Sequence, residues 1–244
     1  MGFYDEISRY YDYIFPVGTL QLEFIKESSK SPGKRILDVA CGSGGYSIEL
    51  AKAGYKVTAV DIEDEMIIKV KDKADKAGLN IEAYKCDMRE LSDTIGGKFD
   101  TIFCIGNSIV HLSSLHEVKE ALKQMKGLLD EEGSLILQII NYDRIIKHNL
   151  TQLPPIRNDE IGLEFIRKYE YVEDKNVINF NTTLAVENKT RSDVFTNSIE
   201  LFPIMSMEFE EVLKEAGFEG LEFYGDFNYA PYDENSYMLV VKAR

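Results

Sequence analysis

The sequence predicts an α/β fold: a mostly parallel β-sheet with crossover helices, carrying an inserted antiparallel β meander. Two observations carry this expectation. From Lys34 onward, short apolar runs rich in β-branched residues alternate with amphipathic stretches of helical period, as in a parallel sheet covered by its connections. Between about residues 151 and 202 the rhythm changes to three β-rich runs separated by polar turns. A chain of 244 residues, 44% of them hydrophobic, can bury a substantial core. Residues 1–244 are read as a single domain, with 151–202 as a β lid inserted within it.

Strands of the main sheet are expected at 35–39, 56–60, 81–85, 101–104 and 134–140, with helices at 45–53, 64–77 and 114–129. Gly54 and Gly78 stop the first two helices, because glycine enters the left-handed cap conformation without a Cβ penalty. Asp130-Glu131-Glu132-Gly133 is expected as a turn into the fifth strand. The insertion opens on Pro154-Pro155 and continues with runs at 163–172, 177–186 and 191–201, parted by polar turns at 173–176 and 187–190. A helix at 206–216, stopped by Gly217, precedes strands near 221–224 and 237–242. The gap between these last two is too short for a crossover helix, so they are expected to run antiparallel.

The formal charge is −14, from 28 basic and 42 acidic residues. A surface that acidic repels a phosphate backbone, so neither nucleic acid nor an anionic membrane is the expected partner. Cys41, Cys86 and Cys104 are widely spaced with no CxxC pair, which fits a reducing cytoplasm rather than a disulfide framework or thiolate metal site. The histidines, His111, His116 and His148, lack metal-ligand spacing, so no metal is expected. The first residues lack the basic-then-apolar pattern of a signal peptide, and no run reaches the ~20 apolar residues that cross a bilayer. A soluble, cytoplasmic protein is the expectation.

The chemistry concentrates at the strand ends. Ile36-Leu37-Asp38-Val39 runs into Ala40-Cys41-Gly42-Ser43-Gly44-Gly45, and a helix follows. Glycines at such a turn let a ligand approach the backbone and expose the amides of the helix start. A dinucleotide-binding dehydrogenase is one owner of this pattern, but its third glycine is Ser47 here. Asp38 also stands where an acid would repel a pyrophosphate, whereas a ligand with an ammonium and a sulfonium, such as S-adenosylmethionine, would be attracted. Asp61 ends the second strand, placed to accept from ribose hydroxyls, with Ile62 and Met66 following in the same cofactor wall. Asp87 and Met88 end the third, positioned for an adenine amino group and ring face, although Asp87 also suits a helix N-cap.

These residues resemble class I S-adenosylmethionine-dependent methyltransferases, and the resemblance covers most of the chain. It implies a Rossmann-like seven-stranded sheet with the last strand antiparallel, and cofactor contacts at Ala40, Gly42 and Gly44. Tyr4-Asp5-Glu6-Ile7, with Tyr11-Asp12 beyond, is similar to the segment that closes over the cofactor in small-molecule members. Cys104-Ile105-Gly106-Asn107-Ser108-Ile109-Val110-His111-Leu112, Asn141-Tyr142-Asp143 and Gly225-Asp226-Phe227 resemble the glycine and sarcosine N-methyltransferases. In that group the asparagine helps hold the substrate carboxylate, the serine and histidine lie by the cofactor's methionine end, and the residue equivalent to Ile105 contacts it through its backbone. The animal glycine enzyme also carries a carboxylate-binding arginine two positions before Asn-Tyr-Asp, where this chain has Ile139, followed by Ile140. Arg144, Arg157 or Arg167 supplies that charge, or else the substrate is not a simple amino acid.

The expected reaction is methyl transfer to a small molecule, with an amine as acceptor. Asn107, His111, Tyr142 and Tyr11 orient the substrate, with His111 either accepting a proton or forming a cofactor wall. An oxygen acceptor, an NAD-dependent oxidoreductase and a silent cofactor-binding protein are the alternatives. The N-terminal tyrosines, Tyr4, Tyr10, Tyr11 and Tyr13, offer rings to a sulfonium or pack on the sheet. The insert aromatics, Phe165, Tyr169, Tyr171, Phe180 and Phe195, are read as core or as contacts of a homo-oligomer.

Overall fold

The computed structural model describes residues 8–188 and 191–244. The Tyr4–Ile7 part of the closing segment and the Lys189-Thr190 turn lie outside the described residues. After a 3-10 turn at Ser8–Tyr10, α1 (Tyr11–Ile14) and α2 (Thr19–Ser28) lead into the main sheet. Strands and connections then alternate: β1 (Arg35–Val39), α3 (Gly45–Lys52), β2 (Lys56–Asp61), α4 (Asp64–Ala77), β3 (Glu82–Lys85), α5 (Leu91–Thr94), β4 (Phe99–Cys104), α6 (Leu115–Leu128) and β5 (Leu129–Ile140). α7 (Tyr142–Lys147) passes to the inserted strands β6 (Gln152–Asn158), β7 (Leu163–Val172), β8 (Val177–Asn188) and β9 (Arg191–Leu201). Then α8 (Ser206–Glu215), β10 (Glu222–Tyr224) and β11 (Met238–Ala243) complete the main sheet.

The seven strands lie in the order β10-β11-β5-β4-β1-β2-β3. β1 pairs in parallel with both β2 and β4, so the direction of sheet growth reverses beside it. The crevice beyond the carboxyl ends of β1 and β4 is where such sheets bind ligands. β11 runs antiparallel to both β5 and β10, as their short connection requires.

The central strands are continuous apolar runs because both faces of the sheet are covered. On one face Leu37, Ile102 and Leu137 pack with Leu122 and Met125 of α6 and Leu213 of α8. On the other, Ile36, Phe103 and Ile136 pack with Phe24 and Ile25 of α2 and Leu50 of α3. Among the described residues no helix is long and apolar enough to cross a membrane.

Two expectations change. Residues 130–133 are not a separate turn, because β5 begins at Leu129 and runs through them. Pairing jumps from Phe99↔Leu129 to Thr101↔Ser134, so the acidic stretch bulges out of a continuous strand. The insertion is a four-stranded sheet, β6-β7-β8-β9, rather than three strands. β6 crosses Pro154-Pro155 because it is an edge strand, and a register shift between Leu153 and Ile156 absorbs the two residues that lack an N–H.

One face of the inserted sheet is its packing face. Leu163 and Phe165 of β7, with Leu184 and Val186 of β8, bury Tyr10 and Ile14. Tyr169, Ile178 and Leu201 join the cluster that holds Tyr142 and Ile145 of α7. The insert aromatics therefore serve this chain's own core: Phe165 and Tyr169 are buried, and Tyr171, Phe180 and Phe195 pack half-buried against the same clusters. The other face exposes Lys168, Glu170, Ser192, Thr196 and Ser198. Truncating the fully buried Phe165 in Phe165→Ala is expected to cost about 3–5 kcal/mol in urea unfolding. A loss under about 1 kcal/mol would show that this face does not hold the insert to the body.

Candidate active site

β1 delivers Asp38 to the sheet's crevice, and the chain then turns sharply. Ala40 takes a left-handed φ of 57°, a conformation a residue with a Cβ holds only when its surroundings enforce it. Gly42 follows at φ 54°, and a Cβ there would lie 2.3 Å from the Tyr11 hydroxyl oxygen. Only glycine lets α1 rest on this loop. Gly44, at φ 77°, is needed for another reason, because its Cβ would meet Val70 of α4 at 2.6 Å. It serves the packing of α3 on α4 and is not among the cavity-lining residues.

The loop is tied to β2 through Asp61. One carboxylate oxygen accepts the Gly42 N–H at 2.8 Å, and the other accepts the Glu63 N–H at 3.0 Å. At the rim, Lys73 of α4 reaches Asp12 of α1 at 2.7 Å and Ser43 at 2.9 Å, and Ser43 donates to Asp12. The N-terminal helix is thereby latched onto the glycine loop. On its other side, Phe15 meets Phe165 of the inserted sheet edge-on, with ring centroids 5.9 Å apart.

Between these elements lies a cavity of about 480 Å³. Asp38, Ala40, Gly42, Asp61, Ile62, Met66 and Met88 line it from β1, β2 and β3, and Ile105, Ser108 and His111 line it from the end of β4. Tyr11, Ile14 and Phe15 line it from the N-terminal helix. Gln138, Gly106, Glu63, Tyr46 and Gln21 line it as well and were not anticipated from sequence. Gln138 carried a signal: it is the polar interruption of Leu137-Gln138-Ile139-Ile140, just as Asp38 interrupts β1. Its Oε1 accepts the Gly106 N–H at 2.7 Å. Tyr46, which accepts the Gly18 N–H at 3.1 Å, carried none.

The electrostatics of the cavity favour a cation. Asp38 is buried, and desolvation pushes its carboxyl up to about 7; a 2.6 Å hydrogen bond from Ser47 opposes the shift, and the nearby Asp61 adds to it. Burial also raises Asp61, against the hydrogen bonds from Glu63 and Gly42. Two desolvated carboxylates are stabilised as anions by a positively charged ligand. His111 is shifted the other way, its pKa lowered by desolvation, so at neutral pH it presents a neutral imidazole.

Besides Gly44, three expected site residues stand outside the cavity lining. Asp87 is not a lining residue: its carboxylate accepts from the Arg89 N–H at 2.8 Å and Nη2 at 2.6 Å, which lowers its pKa. Arg89 goes on to Glu117 at 2.6 Å, so the acid is engaged in a turn and an ion-pair chain. Tyr142 is fully buried, and burial drives its hydroxyl well above the ordinary range. Asn107, with a left-handed φ of 68°, donates to that hydroxyl at 2.9 Å and accepts the Ile140 N–H at 2.9 Å. The pair therefore props the ends of β4 and β5 behind the cavity wall. Ile139 is fully buried, Arg144 stacks 4.3 Å over the Tyr237 ring, and Arg157 pairs with Glu164 at 2.6 Å.

The methyltransferase-domain family profile matches residues 36–133, which span the glycine loop, Asp61 and the end of β4. The chain is also 30% identical over 207 residues to a glycine/sarcosine N-methyltransferase of Halorhodospira halochloris, covering 84% of this chain and 72% of the relative. This chain belongs to the S-adenosylmethionine-dependent methyltransferases. Its fold is similar to that of an S-adenosylmethionine-dependent methyltransferase from Clostridium acetobutylicum, with TM-score 0.83 and 19% identity over 100% of this chain and 99% of the other. It is also similar in fold to an amino pentose methyltransferase from Micromonospora echinaspora solved with S-adenosylmethionine bound, with TM-score 0.65 and 17% identity over 100% and 92%. The methyltransferase cofactor fits the donor set, since a cationic ligand relieves the charge burial at Asp38 and Asp61. The oxidoreductase and silent-binder alternatives fall with this membership.

The raised pKa of Asp38 has a signed consequence. Its folded carboxyl titrates at about 7 against an ordinary 3.8, so the ligand-free fold keeps a proton that the unfolded chain releases. Ligand-free stability therefore declines as pH rises between those values. Cofactor binding follows the opposite direction, because the cation selects the ionised form. Calorimetry with S-adenosylmethionine is expected to show affinity rising as pH rises through about 7 and levelling off above it. Asp38→Asn should flatten that dependence, and a dissociation constant constant from pH 6 to 8 in the native chain would contradict this role.

Proposed function

We propose that this methyltransferase methylates the nitrogen of a small-molecule amine. The observation that supports this most is structural. The segment from Ile105 to His111, which resembles the glycine and sarcosine N-methyltransferases, contributes Ile105, Gly106, Ser108 and His111 to the cavity that contains Asp38 and Asp61. The similarity to a relative named for N-methylation of glycine and sarcosine supports the same reading. The charge of −14 favours a small acceptor over nucleic acid, and three free cysteines favour a reducing cytoplasm.

S-adenosylmethionine supplies an electrophilic methyl group on a cationic sulfur. The chain's own contribution is alignment and exclusion of water, which together can remove about 7–11 kcal/mol of a barrier. Tyr11, Ile14 and Phe15 cover the cavity, held by the Asp12–Lys73 latch and by Phe165. Neutral His111 can accept a hydrogen bond from an amine N–H without placing positive charge beside a sulfonium. Asn107, anchored by Tyr142, fixes the backbone between Gly106 and Ser108 on the cavity wall. Asp61 and Ala40, which line the cavity, would hold the cofactor's ribose and its amino end.

The deciding experiment incubates the protein with methyl-labelled S-adenosylmethionine and a panel of glycine, sarcosine, larger amines, amino sugars and phenols. Label transfer to an amine is expected, and transfer only to phenols would overturn the reading. Tyr142→Phe removes the acceptor of the Asn107 amide and should cost about 1–3 kcal/mol of stability. It should also raise the acceptor KM while the cofactor dissociation constant stays unchanged. A fall in cofactor affinity instead would place Asn107 on the wrong side of the site.

A further inference from the structure

The end of β5 carries one polar side chain in an apolar run. Gln138, between Leu137 and Ile139-Ile140, is half-buried and lines the cavity. Sheet order places β4 between β5 and β1, so Gln138 lies across Ile105 and Gly106 from the acids Asp38 and Asp61. The cationic groups of the cofactor belong with those acids, on the side of β1 and β2. That leaves the side of β4 and β5 to the methyl acceptor.

The Gln138 amide is anchored at one end and free at the other. Its Oε1 accepts the Gly106 N–H at 2.7 Å, and its backbone carbonyl accepts the Asn107 N–H at 3.2 Å. A backbone N–H can be met only by the amide oxygen, so the orientation of the amide is fixed and Nε2 faces the other way. Among the described residues Nε2 has no hydrogen-bond partner. Gly106 turns at φ 83°, and a Cβ there would meet nothing within 4 Å, so open space adjoins the anchored amide. Holding the Gly106 turn requires an acceptor alone; a glutamine brings a positioned donor as well.

The charge of the cavity decides what that donor can meet. Asp38, Asp61 and Glu63 line it, and among the described residues no lysine or arginine does. The arginines expected to supply a cation are engaged elsewhere: Arg144 on the Tyr237 ring, Arg157 with Glu164, and Arg167 with the Pro154 carbonyl at 2.8 Å. S-adenosylmethionine brings a single net positive charge to these acids, so a carboxylate on the acceptor would enter a cavity that is already negative. An uncharged oxygen accepts from an amide N–H without that repulsion.

We propose that Gln138 is a specificity-determining residue that donates from Nε2 to an uncharged oxygen of the methyl acceptor. The acceptor is then an amine bearing a hydroxyl or amide oxygen and no carboxylate. The inference rests on the amine-methylation reading above and adds to it the acceptor's second polar group.

The test uses the whole chain saturated with S-adenosylhomocysteine, the demethylated cofactor. Glycine, glycinamide, 2-aminoethanol and ethylamine are titrated by calorimetry, followed by 3-aminopropanoate, 3-aminopropanamide, 3-aminopropan-1-ol and propylamine. Each series is run on the native protein, Gln138→Glu and Gln138→Leu, with thermal unfolding as the check on folding. Glutamate still accepts the Gly106 N–H but has no N–H to offer, whereas leucine removes both groups. At least one alcohol or amide is expected to bind about tenfold or more tightly than the carboxylate of the same length. Its affinity relative to the plain alkylamine should fall about three- to tenfold in Gln138→Glu and in Gln138→Leu, a ratio in which the amines' own basicities cancel. Carboxylates that bind as tightly as alcohols and amides, or no binding by any alcohol or amide, would overturn the inference. So would an oxygen preference that survives Gln138→Glu, because the residue would then serve the Gly106 turn alone. Label transfer from S-adenosylmethionine to phenols only would overturn the amine reading instead.

Discussion

A carboxylate buried at the end of the central strand is the constraint around which this site is arranged. Taking Asp38 out of water pushes its carboxyl up to about 7, so its ionisation is opposed in the ligand-free fold. The chain offsets part of that cost with a single hydroxyl. Ser47 stands where a dinucleotide-binding loop has its third glycine, and its donation to Asp38 is the physical reason a serine belongs there. The remainder is left for a cationic ligand, so the strain in the empty site and the affinity of the filled one have the same source.

The loop above Asp38 is held from three directions. Asp61 takes the Gly42 N–H from below, Val70 fills the space that Gly44 leaves open, and Tyr11 lies over Gly42. The same helix that carries Tyr11 is fastened to α4 through Asp12 and Lys73 and to the insert through Phe15 and Phe165. Cofactor loop, N-terminal cover and inserted sheet are therefore one mechanical assembly.

The acceptor side is built on different terms. Around the cofactor, buried acids wait for positive charge, whereas near the end of β4 the titratable groups are neutral: His111 is held deprotonated and Tyr142 protonated by burial. A neutral wall suits a neutral amine lone pair beside a sulfonium.

The main-sheet strands, their order along the chain and the acids at the ends of β1 and β2 were legible in the sequence, because hydrophobic period and glycine turns are local signals. Met66, Met88, Ser108 and His111, the last two expected from the family resemblance, all line the cavity. What the tertiary structure alone decided depends on partners distant in the chain. Gly44 belongs to helix packing because Val70 occupies its space, Asp87 is claimed by Arg89, and Tyr142 is drawn behind the wall by Asn107. Pro154-Pro155 joins a strand because that strand is an edge, and Arg167 acquires its position from the register of four strands. One-dimensional pattern determines which elements form and which residues end them; side-chain direction and the company each residue keeps are set only when the sheets close on one another.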